Sequence, residues 1–282
     1  MKNFFKISPF IMFLISCSRF PYSGVISESK CWVKKTHPEY FQKIIIDQED
    51  FHILRSENKE KPLLILVHGS PGDWGSFAHF FKDKALLENY ELITFSRYGF
   101  GKNREGVPHG KLDDQIKPLV AIIDKYKMQR KVILLGHSYG GPVVMKLALT
   151  HPDKVDALVL AAASVDPELE KMKWYQYVAE AWPIRLLIPS VLDVTNREIL
   201  ALKEEMIHME SDYKSFNKPL YEVQGDKDVL VPKENVDYIV RKTGLSDTYI
   251  ERIKNAKHFL PWAFPESLKR GILKVTKDIS HE

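Results

Sequence analysis

Cysteine is scarce: Cys17 and Cys31 are the only two in 282 residues. That excludes a disulfide-dense scaffold and a cysteine-built metal site. No apolar run approaches the roughly 20 residues needed to span a bilayer as a helix. An excess of one charge is missing as well. The 41 basic and 37 acidic residues leave a net charge of +4, and the basic residues are scattered without a run or an aromatic-interleaved stripe, so nucleic acid is not a favoured partner. Internal repeats and low-complexity tracts are absent, and no feature specifies an oligomeric state. What remains is a globular composition, 44% hydrophobic and 28% charged, long enough to bury the core of one large domain.

The start of the chain differs from the rest. Lys2 and Lys6 precede an apolar stretch, Ile7 to Ser16, which has the anatomy of a signal peptide over residues 1–16. The stretch ends in Leu14-Ile15-Ser16-Cys17, which resembles the lipobox of bacterial lipoproteins. That resemblance implies diacylglyceryl alkylation of the Cys17 thiol, cleavage before it, and a protein held to a membrane of the bacterial cell envelope by its lipid. Several acyl chains, at about 0.8 kcal/mol per buried methylene, make a durable anchor. Cys31 is then the sole remaining thiol. Residues 17–41, rich in Ser, Lys and aromatics, read as a tether into the fold.

Beyond it, from residue 42 to 282, strand-like and helix-like segments alternate. This pattern specifies an α/β fold with a mostly parallel central sheet and helices on both faces. Leu63 to Val67 is continuously aliphatic, as in a strand buried on both sides. Glu91 to Ser96, Lys131 to Leu135, Val155 to Ala161, Leu220 to Gln224 and Thr248 to Ile253 read as further strands. Leu112, Ile116, Leu119, Val120 and Ile123 recur at helical spacing. Residues 166–217 break the alternation and read as a small helical cap inserted between two strands. The tryptophans Trp74, Trp174, Trp182 and Trp262 are candidates for the substrate pocket.

Chemistry concentrates in three places. Gly136-His137-Ser138-Tyr139-Gly140-Gly141 follows an aliphatic strand and leads into a segment with helical apolar spacing. A serine on so sharp a turn needs glycine two residues to either side, because side chains there collide. The second place is His68-Gly69-Ser70-Pro71-Gly72, after the Leu63 to Val67 strand. His258, in the loop after the last strand, is the best placed of ten histidines to serve the serine as base.

The elbow and the His-Gly-x-Pro-Gly loop together resemble the α/β-hydrolase superfamily, over nearly all of residues 40 to 282. The resemblance implies an acyl-transfer hydrolase with Ser138 as nucleophile, His258 as base, and the main-chain amides of Ser70 and Tyr139 as oxyanion hole, with no metal or organic cofactor. It implies a structural, non-catalytic role for His68. The acid aligns on Asp228 within Gly225-Asp226-Lys227-Asp228, leaving Asp226 as a turn residue, with Asp226 itself or Asp166 as alternatives. Serine at the nucleophile position departs from the dehalogenases and epoxide hydrolases of this fold, which place Asp there. The loop from Ser96 to Asn103 also departs from the common pattern, with Ser where many relatives have Asp. The expected substrate is a small acyl compound, ester-like by preference. The alternatives are thioester, lactone or carbon-carbon bond hydrolysis by the same triad, or a surface-tethered binding protein without activity.

Overall fold

In the computed structural model, which describes residues 21–280, the aliphatic segments form the centre of a single eight-stranded sheet. In chain order the strands are β1 (Phe41–Ile46), β2 (Glu49–Arg55), β3 (Leu63–Val67), β4 (Glu91–Phe95), β5 (Val132–His137), β6 (Ala157–Ala161), β7 (Leu220–Gly225) and β8 (Ile250–Ile253). Across the sheet they lie in the order β1-β2-β4-β3-β5-β6-β7-β8. β2 runs antiparallel to both its neighbours, and every other pair is parallel. Strands β3 to β6 are buried at every position, which is why they carry no polar alternation.

Helices cover both faces: α1 (Ser23–Thr36), α2 (Lys84–Asn89), α3 (Leu112–Tyr126), α4 (Gly140–Thr150), α5 (Trp174–Glu180), α6 (Ser190–Met209), α7 (Asn235–Thr243), α8 (Leu260–Ala263) and α9 (Pro265–Ile279). Leu119 of α3, Leu147 of α4 and Ile239 of α7 share one core layer with Ile65 and Leu134. On the other face Phe77 and Phe81, in the 3-10 helix Trp74–Lys82, share a layer with Leu268, Ile272, Leu64 and Leu135. Between β6 and β7 the described chain is helical, comprising α5, α6 and two short 3-10 helices.

Two segments differ from the sequence reading. The stretch read as a tether forms α1, which buries Ser29 and Val33 against the 3-10 helix and pairs Lys30 Nζ with Asp73 at 2.5 Å. Its apolar face is narrow, so few positions mark it as helix. The β1–β2 hairpin also escapes detection, because β1 buries only two of six positions and its turn residues, Asp47 and Gln48, adopt φ of 51° and 68° without glycine. Cys17 and the signal-peptide segment lie outside the described residues.

Candidate active site

Every parallel strand ends its run at the same edge, and the chemically competent side chains collect there. Ser138 follows β5 directly and sits at φ 55°, a left-handed conformation unusual for a residue with a side chain. The flanking glycines make this possible. A Cβ on Gly136 would stand 2.4 Å from the Gly140 carbonyl oxygen, and one on Gly140 would stand 2.3 Å from the Val67 carbonyl oxygen. Gly69 likewise lets the loop after β3 approach the serine, since a Cβ there would fall 2.8 Å from Ser138 Cβ.

His258 lies in the loop after β8 and is buried, with Nδ1 2.7 Å from Asp228 Oδ2. Nδ1–H donates to that carboxylate, so Nε2 is left as the basic nitrogen. Asp228 is itself fixed: Oδ1 accepts from the amides of Leu230 and Val231, both at 2.9 Å. The two other candidate acids sit elsewhere. Asp226 accepts from the Asn255 amide at 2.6 Å and so ties the β7 turn to the loop that leads to His258. Asp166 closes its own turn through the Glu168 amide and lies 3.6 Å from Arg241.

His137, inside the elbow, is a supporting residue that no sequence feature marks. Its Nε2 donates to the main-chain carbonyl of His258 at 3.1 Å, and the rings lie 4.9 Å apart. Burial, helped by the neighbouring His258, pushes its pKa down to about 3, so it stays neutral at working pH. His68 is held in one tautomer: Nδ1 donates to the Gly69 carbonyl at 2.7 Å, and Nε2 accepts from the Arg97 amide at 2.9 Å. Burial and then Arg97 hold it well below the ordinary histidine range, which makes it a loop fastener.

Arg97 organises the loop that carries Ser70. Its guanidinium donates to the carbonyls of His68 (3.0 Å) and Gly69 (3.1 Å) and lies over the Tyr139 ring, 4.6 Å from the centroid. The charge is matched by Glu198 of α6, with both side chains fully buried and the closest approach 2.5 Å. Glu198 also accepts from the Ser70 hydroxyl at 2.5 Å and from Gln115 at 2.9 Å. Burial pushes its carboxyl upward, opposed by Arg97 and Ser70. One ion pair therefore binds the loop after β3, the elbow and the cap helix together. Among the described residues, the amides of Ser70 and Tyr139 donate to no other protein group. The sequence held a signal for Glu198: it stands in the buried stripe Val194, Glu198, Leu202, Met206 of α6, where a carboxylate is out of place without a partner.

Ser70, Ser138, Tyr139 and His258 all line one cavity of about 410 Å³. Its far walls are aliphatic, from Leu169, Ile188, Leu192, Ile199 and Leu202. None of the four tryptophans named as pocket candidates lines it. Trp174 is exposed because α5 buries Gln176 and Ala179 and turns its tryptophan outward, and Trp182, beyond the end of α5, is exposed as well. Trp74 packs edge-on against Phe41 beneath Lys30, and Trp262 packs between Tyr22 and His137.

Comparison with known proteins agrees with this geometry at the level of fold. A family model described as alpha/beta hydrolase fold matches residues 62–183. Epoxide hydrolase 4 of Mus musculus is 27% identical over 113 residues, covering 39% of this chain and 30% of that protein. Proline iminopeptidase of Lactobacillus helveticus is 27% identical over 141 residues, covering 47% of this chain and 48% of that protein. The matched region thus spans less than half the length of these curated relatives. Among solved structures, a bacterial membrane phospholipase A superposes with a TM-score of 0.65 at 15% identity, over 96% of this chain and 97% of that one.

Proposed function

This chain belongs to the α/β-hydrolase superfamily, and we propose that it is a serine hydrolase that cleaves an ester-like acyl substrate through Ser138, His258 and Asp228. The observation that carries this reading is the pairing of His258 Nδ1 with Asp228 at 2.7 Å, on the wall of a cavity that also holds Ser138. Nε2 of His258 takes the Ser138 proton as Oγ bonds to the acyl carbon, and the carbonyl electron pair moves onto oxygen. The amides of Ser70 and Tyr139 stabilise that oxyanion. Collapse expels the alcohol, which receives its proton from His258. Water then repeats the sequence on the acyl-enzyme and frees the acid. Asp228 accepts from Nδ1–H and stabilises the imidazolium.

Serine at the elbow supports acyl rather than alkyl transfer, because an alkyl-enzyme ester requires a carboxylate nucleophile. A p-nitrophenyl ester series of graded chain length tests the reading. It predicts turnover that Ser138→Ala abolishes, with a chain-length optimum set by the aliphatic walls.

We also propose that Cys17 carries the lipid that holds the enzyme to a bacterial envelope membrane. Wild type should incorporate labelled palmitate and partition into detergent, and Cys17→Ser should do neither. Equal partitioning of the two would contradict the anchor.

A further inference from the structure

The cap presents an apolar surface to solvent beside the cavity mouth. Eight of the seventeen exposed large apolar side chains among the described residues fall within residues 174–191. Trp182 is 79% exposed, Leu186 70% and Leu187 84%, with Trp174 and Tyr177 beside them in sequence. Val229, 86% exposed, and Leu230 are exposed apolar residues of the loop after β7, and both line the cavity. So do Tyr175 and Ile188. Exposed apolar residues and residues of the cavity wall thus alternate along 174–191 and meet in Val229 and Leu230. Monomeric proteins rarely leave such a patch uncovered.

The charges beside it select the occupant. Lys171 and Lys173 are exposed at the mouth, and among the described residues neither pairs with a carboxylate. The acidic groups nearby are engaged: Glu180 with Arg197, Asp193 with Arg185 and Arg197, and Glu170 with the Ser164 hydroxyl. Tryptophan and tyrosine at an apolar margin, flanked by free lysines, suit the boundary between acyl chains and anionic headgroups.

We propose that this cap face docks on an anionic phospholipid surface, and that the substrate is an amphiphilic acyl ester drawn from that surface into the cavity. The acyl chain then moves from bilayer to aliphatic wall without crossing water, and its ester stops beside Ser138. The substrate half of this proposal rests on the serine-hydrolase reading, whereas the docking half stands apart from it.

The test uses the full chain with Cys17→Ser, so that no lipid anchor contributes, compared with the same chain carrying Tyr177→Ser, Leu186→Ser and Leu187→Ser. None of these three residues lines the cavity. Co-sedimentation is measured with phosphatidylglycerol-containing and with pure phosphatidylcholine vesicles. Hydrolysis is measured on a soluble p-nitrophenyl acetate and on a long-chain ester held in the vesicles.

The proposal predicts preferential binding to the anionic vesicles, weakened by high salt. The triple variant should bind at least tenfold less, lose a similar factor on the vesicle-held ester, and keep its rate on the soluble ester. Equal vesicle binding by the two proteins would overturn it. So would a patch that instead buries itself in a second copy, seen as a dimer that the triple variant converts to monomer with no vesicle binding by either protein. Occupation by the chain's own first twenty residues would appear as vesicle binding unchanged by the triple substitution, and also overturns it. Loss of soluble-ester turnover in neither Ser138→Ala nor the triple variant would defeat the serine-hydrolase reading alone, because docking is read by sedimentation.

Discussion

Arg97 and Glu198 stand 101 residues apart in sequence and form a fully buried ion pair, 2.5 Å at its closest, across the loop that carries Ser70. Arg97 grips the loop through the carbonyls of His68 and Gly69, and Glu198 grips it through the Ser70 hydroxyl. The position of one proposed oxyanion donor therefore depends on the cap helix being in place.

Removing one partner of this pair strands a buried charge, which costs about 3–5 kcal/mol. Arg97→Ala should show that loss in denaturant unfolding, and should lower kcat about 10²-fold through a misplaced Ser70 amide. Arg97→Met with Glu198→Leu should recover most of the stability but not kcat. Recovery of both would mean that the pair does not position the loop.

The acid is separable by three substitutions. Asp228→Asn removes the carboxylate that faces His258 and should lower kcat by about three to four orders of magnitude with little change in KM. Asp226→Asn and Asp166→Asn, which hold turns, should cost on the order of 1 kcal/mol of stability and leave kcat near wild type. A near-normal kcat in Asp228→Asn, with collapse in either of the others, would move the acid.

Glu222 of β7 is buried, and burial pushes its pKa up to about 8, offset only partly by the Ala163 amide and Arg252. Folding therefore takes up a proton between the ordinary carboxylate value of 4.5 and about 8. The stability that this group contributes is complete below 4.5 and falls as pH rises to about 8. Glu222→Gln should flatten this slope and be more stable than wild type at pH 8, by about 1–3 kcal/mol. Thermal unfolding across pH 5 to 8 measures it, and parallel curves for the two proteins would contradict the assignment.

How far the sequence discloses this molecule depends on whether a signal is local. Gly136, Ser138 and Gly140 are legible because their spacing falls within five residues, although the side chain excluded at Gly140 would collide with the Val67 carbonyl of a separate strand. The central strands are legible because burial on both faces leaves unbroken aliphatic runs. The β1–β2 hairpin is not, since Asp47 and Gln48 adopt positive φ without the glycine that normally marks such a turn. The role of Arg97 is not legible either, because Glu198, its buried partner, stands 101 residues away in the chain. The tryptophans are no guide to the pocket for a related reason: α5 directs Trp174 to solvent and turns Tyr175, Gln176 and Ala179 to the cavity, whose aliphatic wall comes from Leu169, Ile188 and residues of α6.

The central claim is that Ser138 is the nucleophile, and covalent labelling tests it most directly. A fluorophosphonate should modify the purified protein once, with peptide mass spectrometry placing the adduct on the Gly136 to Gly140 segment. Ser138→Ala should fold with an unchanged melting curve, take up no label, and lose about 10⁴-fold or more of ester turnover. A labelled Ser138→Ala protein, or one that still turns over p-nitrophenyl acetate at the wild-type rate, would contradict the account.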